Sequence, residues 1–177
     1  MFDKEKIIAK IKELEEQRKE MYVSKDSIDF LLKFIKQKGY KKILEIGTFE
    51  GYSALNFSLV AERVVTLENH KNDIEEAKKN LESVDNVEII KGDARKTLKT
   101  LNEKFDLILI DGGKREYKEY LELVLPLLNN DGAIFADNTI SHKEGFKEFF
   151  NYLNDNKESL NYKELELGKG LLMIRKN

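Results

Sequence analysis

The segment Ile43-Leu44-Glu45-Ile46-Gly47-Thr48-Phe49-Glu50-Gly51-Tyr52-Ser53 narrows the choice of fold more than any other part of the chain. Residues 43–46, apolar but for Glu45, read as a buried parallel strand. Gly47 lets the chain turn tightly, and Gly51 lets a helix begin close against the strand. Strand, glycine turn and helix make the first crossover of a nucleotide-binding α/β sheet. Ligands of such sheets sit beyond the carboxyl ends of the strands. The turn is not a dinucleotide fingerprint, because Phe49 and Glu50 fill its middle where that pattern spaces its glycines differently. A βαβ unit with a merely tight turn would share these features. Glu68 adds the distinguishing signal. It ends the next apolar run, Arg63–Glu68, close to the spacing of about 20 residues at which an acid meets a ribose hydroxyl. Together these features point to an adenosine-type ligand. Glu45, inside the strand end, can meet a cationic ligand or order the turn.

The rest of the chain repeats the same alternation. Residues 3–20 form a charged helix with Ile7, Ile8, Ile11 and Leu14 on one stripe, suited to docking on the domain or to a lid or dimer contact. Ser24 or Asp26 can cap a second helix that turns Ile28, Leu31, Leu32 and Ile35 inward, and Gly39 can close it. Helices are predicted at 52–61 and 71–81, then a strand at 87–90 and a short helix to Leu101. A strand at 105–111 and a helix at 117–128, kinked or ended by Pro126, lead to a strand at 132–137. One more helix carries Phe146, Phe149, Phe150 and Leu153. Residues 160–167 and 170–174 read as a closing antiparallel pair around Gly168-Lys169-Gly170, which is too short for a phosphate loop. The predicted fold is α/β: a doubly wound, Rossmann-like, mostly parallel sheet with a C-terminal antiparallel hairpin. The expected division is an N-terminal helix over 1–20 and a single domain over 21–177.

Composition excludes several classes. The chain has no cysteine, so a disulfide framework, a thiolate metal site and a cysteine nucleophile are ruled out. A net charge of −2 argues against a strongly basic nucleic-acid binder. No apolar run is long enough for a bilayer, and no signal peptide is recognisable, so no membrane contact and a cytoplasmic location are expected.

The chemistry gathers at the strand ends. Glu45, Glu68, Asp93, Asp111 and Asp137 all lie at or just after apolar runs. In a parallel sheet those ends share one edge. Converging carboxylates repel one another unless cations or hydrogen bonds hold them, so a cationic ligand, a metal or both are expected there. Asp111 and Asp137-Asn138 offer three hard oxygen ligands of the kind magnesium prefers. Asp-Asn after a strand is also an ordinary turn pair. Lys114, three residues past Asp111, can serve as a base at such an edge. His70 and His142 are weak signals and are assigned no role.

Several motifs together resemble the cation-dependent class I O-methyltransferases, the family of the catechol and caffeoyl-coenzyme A enzymes. They are Leu44-Glu45-Ile46-Gly47-Thr48, Gly51-Tyr52-Ser53, Glu68, Gly92-Asp93-Ala94, the run Asp111-x-x-Lys114-x-x-Tyr117, and Ala136-Asp137-Asn138. The resemblance runs from about Met21 to the C-terminus. It implies S-adenosylmethionine as cofactor. Glu45 and Ser53 would hold its methionine end, and Gly47, Phe49 and Gly51 would shape the approach. Glu68 and Asn69 would take the ribose, Asp93 and Ala94 would border the adenine, and Val23 would close over the cofactor. Asp111, which also neighbours the cofactor, would bind a divalent cation such as magnesium together with Asp137 and Asn138, and Lys114 would be the base. The implied reaction is methyl transfer to the hydroxyl of a small diol or phenol. A modified tRNA base hydroxyl and a non-catalytic cofactor-binding role are the alternatives, and a homodimer is an expected assembly. The chain departs from the family in its short segment after Asn138 and its short N-terminal region, which leave the acceptor side open.

Overall fold

The computed structural model describes residues 3–17, 19–140 and 143–177, with the side chains of residues 143 and 144 left aside. His142 lies outside the described residues. Seven strands form one sheet: β1 (Lys42–Ile46), β2 (Arg63–Glu68), β3 (Val87–Lys91), β4 (Phe105–Ile110), β5 (Leu128–Asp137), β6 (Leu160–Leu165) and β7 (Leu171–Lys176). The spatial order is β3-β2-β1-β4-β5-β7-β6. Strands β1 to β5 pair in parallel, and β7 enters antiparallel between β5 and β6. The doubly wound sheet with its closing hairpin is therefore the fold that the alternation predicts.

Helices cover both faces, as the period-two pattern of buried strands requires. On one face Leu44, Ile46, Val65, Leu67, Ile108 and Ile110 pack under helices α5 (Ala94–Thr97), α6 (Tyr117–Val124) and α7 (Lys147–Asp155). On the other, Ile43, Val64, Leu107, Leu109 and Phe135 pack under α1 (Lys4–Gln17), α2 (Lys25–Lys38), α3 (Tyr52–Ser58) and α4 (Lys71–Asn80). The stripe Ile7, Ile11 and Leu14 of α1 is buried in this second core, and only Ile8 of the predicted stripe is exposed. Ser24 caps α2 by accepting from Ser27 N, and Gly39 closes it.

Several boundaries differ from the sequence expectation, most of all at α3, α6 and β5. Helix α3 ends at Ser58 rather than 61. Helix α6 ends at Val124, followed by a 3-10 turn at Leu125–Leu127, and β5 already begins at Leu128. Pro126 lacks the amide hydrogen needed to continue the helix. The extra strand length is absorbed by a register shift opposite Phe105 and Leu107. Among the described residues no helix is long and apolar enough to cross a membrane.

Candidate functional site

The glycine turn is stitched onto its neighbours by the backbone. Gly47 N and Thr48 N both donate to Leu67 O of β2, at 3.0 and 3.3 Å, and Asp111 N donates to Ile46 O at 2.9 Å. Gly47 has φ +99°, and a Cβ there would collide with the Asp111 carbonyl oxygen. The end of β4 can approach only because this residue has no side chain. Beneath the turn, Glu45 is fully buried. It accepts from the Ser53 hydroxyl and, at 2.6 Å, from that of Thr66, its β2 register partner, which itself lies 2.6 Å from the Thr48 hydroxyl. Burial pushes the Glu45 carboxyl up to about 7. Its two hydroxyl partners favour the ionised form but do not overcome the lost solvation. Of the two roles open to Glu45, this geometry displays the ordering of the turn.

A cavity of about 500 Å3 runs along the carboxyl edge of the sheet. Gly47, Phe49, Glu68, Asn69, Asp93, Ala94, Asp111, Lys114 and Asn138 line it. Glu45, Gly51, Ser53 and Asp137 do not line it: Glu45 and Ser53 bond to each other beneath the turn and Asp137 is buried, while Val23 lines a separate cavity with Tyr22, Ser24 and Tyr52. At the β2 end, the Glu68 carboxylate accepts from the backbone N–H groups of Phe49 (2.8 Å), Asn69 (2.8 Å) and His70 (3.0 Å). Phe49 has φ +46°, a left-handed conformation that bulky residues avoid, and Glu68 grips it there. Beyond β3, Asp93 caps α5 through Arg95 N and forms a two-pronged pair with the Arg95 guanidinium at 3.0 and 2.7 Å. That pairing holds the Asp93 carboxyl down at about 2.

At the β4–β5 end, Asn138 donates to Asp111 Oδ1 at 3.0 Å, and Asn138 too is left-handed, at φ +65°. Asp137 is 4% exposed, and its Oδ1 is buried without a hydrogen-bond partner. Burial, then repulsion from Asp137 and Glu45, pushes the Asp111 carboxyl well above the usual carboxylate range. Burial also raises Asp137, against the pull of the Asn138 amide, Lys169 and Lys114. Two half-desolvated acids and an orphaned oxygen are a donor set short of positive charge. The chemistry of this donor set suits a hard divalent cation, which Asp111, Asp137 and Asn138 would hold. Among the described residues no group of three or more histidine, cysteine, aspartate or glutamate side chains gathers as a metal cluster.

Four contributors to this edge are absent from the sequence reading or have no role in it. Tyr117, quoted there as part of a motif, is fully buried, donates to the Asp137 carbonyl oxygen at 3.0 Å, and is boxed by Phe146 and Phe149. A tyrosine one helical turn past Lys114, followed by a phenylalanine cluster, was the available signal. Thr66 interrupts an otherwise apolar run, which marks it as paired. Arg95 follows Asp93 at capping distance. Lys169, at the hairpin tip, lines the cavity from the far side and leaves no local signature beyond its two glycines.

Comparison with known proteins agrees with this architecture. Residues 3–171 match the family model described as O-methyltransferase. The O-methyltransferase ankF of Aspergillus thermomutatus is 38% identical over 110 residues, covering 56% of this chain and 46% of that protein. Catechol O-methyltransferase of Niastella koreensis is 36% identical over 110 residues, covering 56% of this chain and 50% of that protein. The chain spans about half the length of these curated relatives. The SAH-bound methyltransferase PaMTH1 of Podospora anserina shares the fold, with a TM-score of 0.87 at 24% identity, over 99% of this chain and 89% of that one. With a matched segment that takes in all but a few residues of the chain, and with the glycine turn, the strand-end acids and the sheet order in place, the chain belongs to the O-methyltransferase family.

Proposed function

We propose that this protein transfers a methyl group from S-adenosylmethionine to the hydroxyl of a small diol or phenol, assisted by a divalent cation. The observation that carries the cation is the buried, partnerless Oδ1 of Asp137 beside an Asp111 whose carboxyl is raised by its surroundings. The cofactor would lie along the β1–β3 part of the cavity. Glu68 and Asn69 would meet its ribose, Asp93 and Ala94 would border its adenine, and Gly47, Phe49 and Asp111 would flank its methionine end. Glu45, Gly51, Ser53 and Val23 would act from behind, by fixing the turn and the linker before α2.

The cofactor would supply an activated methyl group, and the cation would lower the pKa of a hydroxyl lying on it. The chain's own residues do the rest. Asp111, Asp137 and Asn138 would hold the cation, and so set where the acceptor hydroxyl lies. Tyr117 fixes the Asp137 main chain from below. Lys114, half-buried on the 3-10 turn Lys114–Glu116, takes the hydroxyl proton at Nζ. Most of the acceleration then comes from position and charge.

Labelled S-adenosylmethionine, offered with a panel of diols and phenols and with total tRNA, tests the reading. Label should reach a diol or phenol, and transfer should stop in excess chelator while S-adenosylhomocysteine still binds. Lys114→Ala should lower the rate about 10²–10⁴-fold and leave cofactor affinity unchanged. Full transfer in chelator would return Asp137-Asn138 to an ordinary turn. Label in tRNA alone would assign the acceptor to the nucleic acid.

A further inference from the structure

The Gly168-Lys169-Gly170 tip plays no part in the reading above, yet it stands at the acceptor end of the cavity. The sheet order places the cofactor-type residues Glu68 and Asp93 on β2 and beyond β3, and the β6–β7 hairpin on the opposite side of β4 and β5. Lys169 lines the cavity from that opposite side.

The lysine's main chain is fixed relative to the candidate metal ligands. Ile140 N donates to Lys169 O at 3.0 Å, and Thr139 N donates to Gly170 O at 3.2 Å. Both donors follow directly on Asp137-Asn138. The two flanking glycines make the approach possible: a Cβ at Gly170 would fall 2.6 Å from the Ile140 nitrogen, and one at Gly168 would collide with the Ser24 hydroxyl. So the tip is pinned between the N-cap of α2 and the end of β5, with Lys169 among the residues that line the cavity. It is near enough to Asp137 to favour that carboxylate's charge, and among the described residues no carboxylate pairs with its ammonium. Two exposed apolar side chains, Met21 and Ile140, share this neighbourhood: Met21 lines the cavity, and Ile140 lies against Gly170.

We propose that Lys169 pairs with a carboxylate carried by the acceptor, so that the preferred acceptor is a diol or phenol bearing that group. This rests on the methyl-transfer reading. Around the acceptor end, Lys114, Lys169, a divalent cation and the sulfonium would carry five positive charges against four from Asp111, Asp137, Glu20 and Glu116, so the loaded site is net positive by one. A second negative group on the acceptor is then favoured. One ammonium matches a monoanion rather than a phosphate dianion. Arg95, the cavity's guanidinium, lies at the β3 end and is engaged by Asp93.

Calorimetry on the full chain, saturated with magnesium and with sinefungin, whose ammonium stands in for the sulfonium charge, tests it with 3,4-dihydroxybenzoate and its neutral isostere 3,4-dihydroxybenzamide. The acid should bind about fivefold more tightly, as an ion pair open to solvent allows. The preference should shrink with added salt. Lys169→Met should abolish the preference without changing amide affinity, and Lys169→Glu should reverse it. Equal affinities in the unaltered protein, a preference that survives Lys169→Met, or failure of both compounds to bind would overturn the proposal. So would a Lys169→Met variant altered only in magnesium affinity, since Lys169 would then be a counter-ion for Asp137. Methyl transfer is scored separately. Transfer to both compounds without preference sinks the Lys169 pairing alone. Preferred binding of the acid without transfer sinks the activity alone.

Discussion

Replacing Glu68 by glutamine should lower the melting temperature of the ligand-free protein by about 6–12 °C. The Glu68 carboxylate accepts three backbone bonds, one on Oε2 from Phe49 and two on Oε1 from Asn69 and His70. Glutamine has a single acceptor oxygen. If that oxygen stays with Asn69 and His70, its NH2 group faces the Phe49 N–H. That charge-assisted bond, worth about 1.5–3 kcal/mol, is lost. The two remaining bonds weaken because their acceptor is no longer ionised. Phe49, held at φ +46°, loses the contact that offsets its backbone strain. Water reaching the cavity floor returns part of this, so the net is about 3 kcal/mol. For a chain of this size each kcal/mol moves the midpoint about 2–4 °C. Circular dichroism melts and scanning calorimetry on both proteins, without ligand, measure the shift. A midpoint within about 2 °C of the unaltered protein would refute the claim that Glu68 holds the turn, and would leave it as a ligand-facing acid only.

Tyr117→Phe removes the donor to the buried Asp137 carbonyl oxygen and should cost about 1–2 kcal/mol in a denaturant melt. Methyl transfer should fall with it, and a variant of unchanged stability and rate would show that Asp137 needs no support from below. Glu45 titrates near 7 when folded, above about 4.3 in an unfolded chain, so the folded state retains a proton that the unfolded state releases. Its contribution is therefore a loss of stability as pH rises from about 4.5 to 7, on the order of 3 kcal/mol. Glu45→Gln should flatten that part of the melting-temperature profile, and an unchanged slope between pH 4 and 8 would assign the dependence to Asp111 and Asp137.

The fold was legible because its signals are local and repeated. The parallel strands carry short apolar runs, with a glycine or an acid at or just past the end, as at Ile46-Gly47 and Ile110-Asp111. For α2 the sequence offers Ser24 or Asp26 as cap and Gly39 as stop, and Ser24 and Gly39 take those places. The early start of β5 was not legible, because Asn129, Asn130, Asp131 and Gly132 read as a turn. Only β4 alongside supplies the pairing that extends them, with Asn129 Nδ2 donating to Asp106 Oδ1 at 2.7 Å. At the site, sequence places acids at one edge but not in depth. It brings Glu68, Asp93 and Asp111 to the cavity wall, as the structure does. It does not distinguish them from Glu45, Ser53 and Asp137, which stand behind that wall. Depth depends on which neighbouring strand and helix close over a residue, and the partners Thr66, Tyr117 and Lys169 are distant in the chain.

That depth explains why one edge can be both a structural weak point and a ligand site. Three carboxyls there, Glu45, Asp111 and Asp137, are raised chiefly by desolvation. In the ligand-free chain each deprotonation opposes folding, and Lys114 and Lys169 offset only part of the burden on Asp137. A cation entering the cavity reverses the sign for the carboxyls it meets, because the ionised form is then the favoured one. Glu45 is shielded by Ser53 and Thr66 and lies behind the lining, so it responds least. Asp111 forms part of the cavity wall and Asp137 carries a partnerless oxygen beside it, so they respond most. The acids that weaken the empty protein are therefore those through which a bound cation would strengthen it. Removing one of them trades ligand affinity for stability rather than losing both.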